Sequence, residues 1–126
     1  MRNLWLIAIG IALIGSTVSC EKTKSEVQKV RAMEISDVDL GKLEDNTYYG
    51  DFTYNNFTYK VSVDIENNII KDIKVLTNRR SEYTLKAEGV LERIIEKQTP
   101  NVDVISGATT TSKAFMKAVE NALTVE

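Results

Sequence analysis

The chain has 126 residues, with 16 Lys and Arg against 18 Asp and Glu, so its formal net charge is -2. This length supports one domain of ordinary size, and a balanced charge without a basic run argues against a nucleic-acid partner. Histidine is absent and cysteine occurs once, which excludes most zinc sites, a Cys/His nucleophile pair and an internal disulfide. We therefore expect any chemistry to come from a borrowed cofactor.

The first residues have the pattern of a secretion signal. Residues 1–3 carry a positive charge, residues 4–14 are an apolar run, and small residues then lead to Cys20. The apolar run is shorter than the stretch of about 20 residues that a spanning helix needs, and it is typical of a signal-peptide core. A retained signal anchor is the alternative interpretation.

The lone cysteine makes this N-terminus similar to a bacterial lipoprotein signal, although Thr17 stands where such signals usually have leucine. A small buried cysteine is disfavoured by the polar neighbours Ser19 and Glu21. The resemblance implies a signal peptide over residues 1–19 and acylation of Cys20, for example with palmitate. It also implies a mature protein outside the cytoplasm, held by lipid on a bacterial cell membrane.

Residues 20–44 are predicted to connect the acylated cysteine to the domain. Residues 21–28 are polar and mixed in charge without an apolar period, which indicates a flexible tether. Residues 30–35 are predicted as a short strand or extended arm, and residues 36–41 as a turn. Three apolar residues are expected to pack on the domain edge: Val38, Leu40 and Leu43.

Three strands form a predicted antiparallel meander. Residues 47–54 are rich in aromatic and β-branched side chains, and residues 57–65 alternate strictly between apolar and polar, as in a strand with one buried face. Residues 69–76 form the third strand. The pairs Asn55-Asn56 and Asn67-Asn68 tolerate left-handed backbone and therefore mark tight turns. The inward residues predicted on the third strand are Ile69, Ile73 and Val75.

A helix is predicted from Thr84, as N-cap, to Gln98, with Pro100 beyond its end. Gly89 costs this helix up to about 1 kcal/mol relative to alanine and allows a close approach to the sheet or to a ligand. The preceding loop contains Arg79 and Arg80, whose guanidinium groups suit a phosphate or planar carbonyl oxygens, or are simply solvated. The buried face is predicted to contain Ala87, Val90, Leu91, Ile94 and Ile95.

Residues 103–112 precede a final amphipathic helix. Thr109, Thr110, Thr111 and Ser112 follow Ser-Gly-Ala, and their short hydroxyl side chains are expected to cap the helix by accepting hydrogen bonds from its first amides. Such an N-terminus presents free N–H groups and about half a positive charge, which suits a phosphate. The buried stripe of this helix is predicted to be Ala114, Phe115, Ala118, Val119, Ala122 and Leu123.

The pattern Asp-x-x-Ser-Gly-Ala-Thr at residues 103–109, followed by Thr/Ser and an alanine-rich helix, resembles the signature of the FMN-binding domain family. That family includes FMN-carrying subunits of sodium-translocating quinone reductases and related membrane electron-transfer complexes. Further similarity at residues 45–50, 86–88 and 95–98 extends the resemblance over roughly residues 45–123, in the small, single-domain branch. The chain departs from the family at Asn46, where glycine is frequent, and in a helix-preceding loop without the Pro-Gly-rich form.

The predicted strands and helices indicate an α+β domain over residues 45–126, a small antiparallel meander packed with two amphipathic helices, and the resemblance identifies it as an FMN-binding domain. The resemblance also implies that a flavin transferase links FMN, donated by FAD, to Thr109 through a phosphoester. Asp103, Ser106, Gly107 and Ala108 would complete the motif, with Thr110 beside it. The carrier would move one or two electrons between a membrane donor and an extracytoplasmic acceptor. We expect the aromatic residues to be core rather than flavin contacts.

Three interpretations remain at the level of sequence. The first is a lipid-anchored carrier of covalent FMN, more an electron-transfer protein than a stand-alone catalyst. The second is a module that binds FMN or another ligand without a covalent bond. The third is a structural lipoprotein in which the hydroxyl cluster only caps a helix. Asp103 and the uninterrupted motif at residues 106–109 favour the first over the second.

Overall fold

The computed structural model describes residues 18–124, so nearly all of the predicted signal peptide lies outside the described residues. Within them the chain forms four helices, one short 3-10 helix and three strands. In chain order these are α1 (Val18–Ala32), the 3-10 helix (Leu40–Lys42), β1 (Asn46–Tyr54), β2 (Phe57–Glu66), β3 (Ile69–Thr77), α2 (Glu82–Ala87), α3 (Val90–Lys97) and α4 (Thr109–Leu123).

The strands form one antiparallel sheet in the order β1-β2-β3. Both connections are two-residue turns with positive φ at each central residue, 50° and 61° at Asn55 and Asn56, 53° and 62° at Asn67 and Asn68. Such turns match the right-handed twist of the flanking strands, and asparagine tolerates the left-handed backbone that they require. The predicted meander and both of its turns are confirmed.

The inward set predicted for β3 is wrong at its first residue. Ile69 is 43% exposed, whereas Ile70 is 1% exposed. The cause is a shift in pairing: Asp64 pairs with Asp72, but the next residue of β2, Ile65, pairs with Ile70. The extra residue of β3 changes which side chains face the core, as β-bulges do. Ile70 and Ile73 therefore both point inward, although strict alternation would separate them.

The core lies between one face of the sheet and α4. All six residues of the predicted α4 stripe are buried, and the inward residues of β2 from Tyr59 to Ile65 are at most 3% exposed. On the opposite face of the sheet, Tyr49 is 70% exposed. The α+β architecture of a meander packed against helices is confirmed.

Helix α4 crosses β1 at Gly50 with no room for a side chain. A Cβ placed on Gly50 would overlap the carbonyl oxygen of Ala118 and the amide nitrogen of Ala122, and would lie 2.7 Å from the Ala122 Cβ. The small residues of α4 therefore bring its backbone against that of β1. This contact holds the C-terminal half of α4 against the sheet.

The helix predicted from Thr84 to Gln98 is interrupted at Glu88 and Gly89, and gives the separate helices α2 and α3. The predicted N-cap is also displaced. Ser81 caps α2, and Thr84 is the N3 residue of a reciprocal capping box with it, a pairing that satisfies two free backbone donors. The predicted apolar face is confirmed, because Ala87, Val90, Leu91 and Ile94 are buried and Ile95 is partly buried.

The polar tether predicted for residues 21–28 is helical instead and belongs to α1. Val27 and Val30 recur three residues apart on this helix and pack on the core, and Val30 is 4% exposed. The chain then runs on without helix or strand to the 3-10 helix, burying Ile35. Mixed charge dominates the composition of this segment and hides its short apolar face. The expected anchoring of Val38, Leu40 and Leu43 on the core is confirmed.

Over the described residues, no helix is long and apolar enough to cross a membrane. Nor does that part of the chain bring together three His, Cys, Asp or Glu side chains in a way that could hold a metal ion.

Tyr59 gives the core a pH dependence. Its hydroxyl donates to the Tyr54 hydroxyl at 3.4 Å, and burial, followed by the Tyr54 contact, raises the pKa of Tyr59 above its usual range. The neutral hydroxyl of Tyr59 therefore contributes its full share of stability below about pH 10, the pKa of tyrosine in the unfolded chain. This contribution is lost progressively as the pH rises from there toward the higher pKa of Tyr59 in the folded protein.

Above pH 10 we expect the free energy of unfolding to fall less steeply in Tyr59→Phe than in the wild type. The two slopes of this free energy against pH should differ by up to about 1.4 kcal/mol per pH unit. Urea unfolding between pH 8 and 11 would measure it. Tyr49→Phe, altered on the exposed face, should keep the wild-type slope. Equal slopes in Tyr59→Phe and the wild type would contradict the expectation.

Candidate functional site

The predicted attachment motif forms a surface turn that leads directly into α4. Ala108 donates its N–H to the carbonyl oxygen of Ile105 at 3.0 Å, which closes the turn. Gly107 has a φ of 82°, a left-handed value that favours glycine. Ser106 and Gly107 are exposed, and Ala108 is 6% exposed. The backbone therefore holds Ser106 and Gly107 outward while Ala108 anchors the turn on the core.

The expected hydroxyl cap is wrong in its geometry. Ala108 is the N-cap of α4, and no side-chain hydrogen bond caps it. The hydroxyl residues 109–112 lie inside the helix, in its first turn, instead of before it. These hydroxyls therefore do not cap the helix, and their surroundings differ from one residue to the next.

Three of the four hydroxyls are engaged with the domain. Ser112 is 0% exposed, and its Oγ accepts the Ile105 N–H at 3.1 Å. Thr111 is 7% exposed and its Oγ1 lies 3.5 Å from the Tyr54 hydroxyl. The Thr110 Oγ1 accepts the Nε–H of Arg31 at 3.0 Å. These contacts place each of the three hydroxyls in a fixed environment.

Thr109 differs from its neighbours. Its side chain is partly exposed, and no hydrogen bond joins its hydroxyl to any other residue in the described part of the chain. The first residue of α4 therefore presents a free hydroxyl next to an exposed glycine turn. Among the hydroxyls of residues 109–112, that of Thr109 is the one most available as an acceptor for a modifying enzyme.

Ser112 ties the start of α4 to the turn. We expect Ser112→Ala to lower the free energy of unfolding by about 1–3 kcal/mol, because the Ile105 N–H would lose its partner in a partly buried place. Urea unfolding of the unmodified protein would measure this. The exposed Ser106 provides the matched control, and Ser106→Ala should change stability by less than about 0.5 kcal/mol. Similar losses in both variants would contradict the role of Ser112.

The side chain of Asp103 does not organise the turn. Asp103 is exposed, and within the described residues no backbone N–H donates to its carboxylate. Its carbonyl oxygen instead accepts from Arg93 Nη1 at 3.0 Å, and that of Val104 accepts from the same nitrogen at 2.9 Å. Arg93 of α3 thereby fixes the backbone leading to the turn, while the Asp103 carboxylate stays at the surface.

Two cations beside the turn were not among the predicted site residues. Arg31 reaches it from α1 through its bond to Thr110. Lys86, on α2, places its Nζ 3.5 Å from where a Cβ on Gly107 would lie. Lys86 appeared in the sequence only as part of the family resemblance, and Arg31 lies in a run of mixed charge that carries no signal.

Helix α2 also borders a groove of about 490 Å³ whose lining includes Leu76, Asn78, Arg80 and Leu85. Leu76 and Leu85 are 52% and 53% exposed, and the buried Asn78 Oδ1 has no hydrogen-bond partner in the described residues. The neighbouring Arg79 instead contacts the protein, since its Nη2 donates to the Asn55 carbonyl oxygen at 3.0 Å. The groove thus offers exposed apolar surface beside α2.

The fold and site together define a small α+β domain with a partly exposed threonine, Thr109, at the start of its last helix. Residues 54–124 match the FMN-binding domain family, and the chain belongs to that family. A segment of 65 residues is 42% identical to part of the NADH:fumarate oxidoreductase of Klebsiella pneumoniae (strain 342). This match covers 50% of the chain and 7% of the relative, so the chain spans a small part of that protein. A flavin-binding electron-transfer module is the role that these similarities support.

Proposed function

We propose that this protein is an extracytoplasmic electron carrier with FMN covalently attached to Thr109. The observation that carries the proposal is that the Thr109 hydroxyl has no hydrogen-bond partner in the described residues, whereas the next three hydroxyls of α4 are engaged. A transferase needs an acceptor that is accessible, on a backbone that lets the donor approach. Gly107, exposed and with positive φ, supplies that approach.

Attachment requires no redox change. With FAD as donor, the Thr109 oxygen forms a bond to the phosphorus on the FMN side, and the bond from that phosphorus to the bridging oxygen breaks. AMP leaves with the bridging oxygen, and the hydroxyl proton passes to a base. Since the described part of the chain holds no catalytic cluster at Thr109 for this step, the flavin transferase must supply the base and metal.

The residues present fit the product of this reaction. A phosphodiester on Thr109 carries one negative charge at the N-terminus of α4, where helix amides favour an anion. Arg31 and Lys86 add two positive side chains from neighbouring helices. The groove beside α2 offers Leu76 and Leu85 as apolar surface for a ring system. When bound, FMN would supply reversible electron transfer, and the chain would supply attachment and a charged surface.

Anchoring at a membrane is the second part of the proposal. Its support is the sequence pattern at residues 1–20, with Cys20 as the lipidated residue. Covalent attachment suits such a place, since a dissociated flavin would be lost from the protein. The membrane-side electron donor and the extracytoplasmic acceptor would then be the partners of the loaded protein. Partners of this kind agree with a relative named as an oxidoreductase, of which this chain matches a small part.

The deciding experiment is in-gel flavin fluorescence of the full chain. The protein is expressed with its signal and a flavin transferase, denatured, and separated on a gel. We expect a fluorescent band, and an increase in mass equal to one FMN minus one water. Flavin released on denaturation would favour the non-covalent alternative. A dark band with an active transferase, and no flavin bound to the native protein, would overturn both.

A further inference from the structure

The acceptor turn lies between two positive side chains that come from different helices. Arg31 of α1 donates Nε–H to Thr110 Oγ1 at 3.0 Å, one residue after the acceptor. The Lys86 Nζ of α2 lies beside Gly107, two residues before the acceptor. Within the described residues neither side chain forms a salt bridge. Both charges are therefore available to an anion formed at Thr109.

The bond from Arg31 uses one of the five N–H donors of its guanidinium group. In the described part of the chain its four Nη hydrogens make no hydrogen bond. The Nε bond holds the planar group at the start of α4, and a planar fork of this kind suits phosphate oxygens. The unmodified protein thus already holds Arg31 next to the position of the phosphodiester.

We propose that Arg31 and Lys86 are the counter-charges of the Thr109 phosphodiester, and that attachment of FMN thereby strengthens the docking of α1 on the domain. This inference rests on the proposed function and extends it to the neighbouring helix. Before attachment, α1 is joined to the site by a hydrogen bond to a neutral hydroxyl. After attachment, the same guanidinium also faces a negative charge. Lys86 attracts the same negative charge from the other side of the turn. Because Lys86 belongs to α2, this attraction does not affect the docking of α1.

Hydrogen exchange measures the docking of α1 directly. We compare the amides of residues 26–32 in the flavin-loaded and unmodified full chain, purified in the same detergent. Attachment is expected to slow their exchange about threefold, the effect of an ion pair of roughly 0.6 kcal/mol. The slowing should fall strongly in 1 M salt, where the Debye length is about 3 Å.

Three variants separate charge from structure. In Arg31→Gln the flavin-dependent slowing should disappear, and Arg31→Lys should restore part of it. Lys29→Gln removes an exposed positive charge from the same helix and should keep the full slowing. Lys86→Gln should keep the slowing in α1 but reduce the rise in melting temperature caused by attachment, by roughly 3 °C.

The outcomes distinguish this inference from the proposed function. A chain that carries no flavin after denaturation removes the proposed function itself. A loaded chain whose α1 exchanges equally fast before and after attachment overturns the inference and leaves the proposed function standing. Equal slowing in the wild type, Arg31→Gln and Lys29→Gln also overturns it, since the effect would not depend on the Arg31 charge.

Discussion

Replacing Thr109 by alanine is expected to leave the denatured chain without flavin fluorescence and without the added mass of FMN. The free hydroxyl at the start of α4 is the proposed attachment atom, and alanine removes it without changing the helix. The free energy of unfolding should change by less than about 1 kcal/mol. The reason is that the Thr109 side chain is partly exposed and makes no hydrogen bond within the described residues. The loss of flavin would thus be separate from any loss of fold.

The neighbouring threonines provide matched controls. Thr110→Ala removes the acceptor of the Arg31 bond, and Thr111→Ala removes a buried hydroxyl near Tyr54. Both proteins should keep a fluorescent band. Thr109→Ser keeps a hydroxyl at the same position and should restore attachment in part. Full fluorescence in Thr109→Ala, or loss of fluorescence in Thr110→Ala alone, would show that Thr109 is not the attachment residue.

Replacing Gly50 by alanine is expected to lower the free energy of unfolding by about 3 kcal/mol or more. The added Cβ would overlap the backbone of α4 at Ala118 and Ala122, and neither the strand nor the helix has a flexible side-chain end that could move aside. The helix would have to shift from the sheet and open the core around Phe115, which is 0% exposed. Urea unfolding of the unmodified protein would measure the loss.

Gly41→Ala is the matched control for Gly50→Ala. A Cβ on Gly41 would lie 3.2 Å from Asp39 Oδ1, the end of a side chain that can adjust. We expect a change of less than about 1 kcal/mol there. If the two variants were equally stable, the close contact between β1 and α4 would not require glycine at position 50.

Much of the sheet could be predicted because its local signals agree with each other. The alternation in β2 places Tyr59, Val61 and Val63 on the core face, and the two Asn-Asn pairs form turns of the required handedness. The error at Ile69 has a physical origin in the pairing of β3 with β2. A one-residue bulge depends on interstrand geometry, and periodicity along a single strand does not contain it.

The helices divide in the same way. The α4 stripe was predictable because a repeat of small and large apolar residues continues over its whole length. The break between α2 and α3 was not, since Ala87 and Val90 keep the spacing of one continuous apolar face across Gly89. Helix α1 was missed because its stability comes from packing Val27 and Val30 on the domain, and packing usually outweighs propensity.

At the site, the motif points to Thr109 as the proposed acceptor, but it does not predict which residues surround it. Residues 103–109 are contiguous, so their pattern is visible in one stretch of sequence. Arg31 lies 79 positions from Thr110, and only the docking of α1 brings the two together. The same holds for Tyr54 and Thr111, which meet across the core. Within the first turn of α4, Thr109 is distinguished because the fold engages the hydroxyls of the three residues that follow it.

If Cys20 carries the proposed lipid, helix α1 also limits how far the proposed attachment site stands from the membrane. Cys20 lies near its start and Arg31 near its end, a separation of about 16 Å at 1.5 Å per residue. A straight helix of this length sets an upper limit of about 16 Å on the height of Arg31 above a lipidated Cys20. The proposed electron partners would then have to bring their redox centres close to the lipid surface. Quenching of the flavin by lipids labelled at known depths would measure this height. A broad distribution of distances would contradict a rigid α1 between Cys20 and the domain.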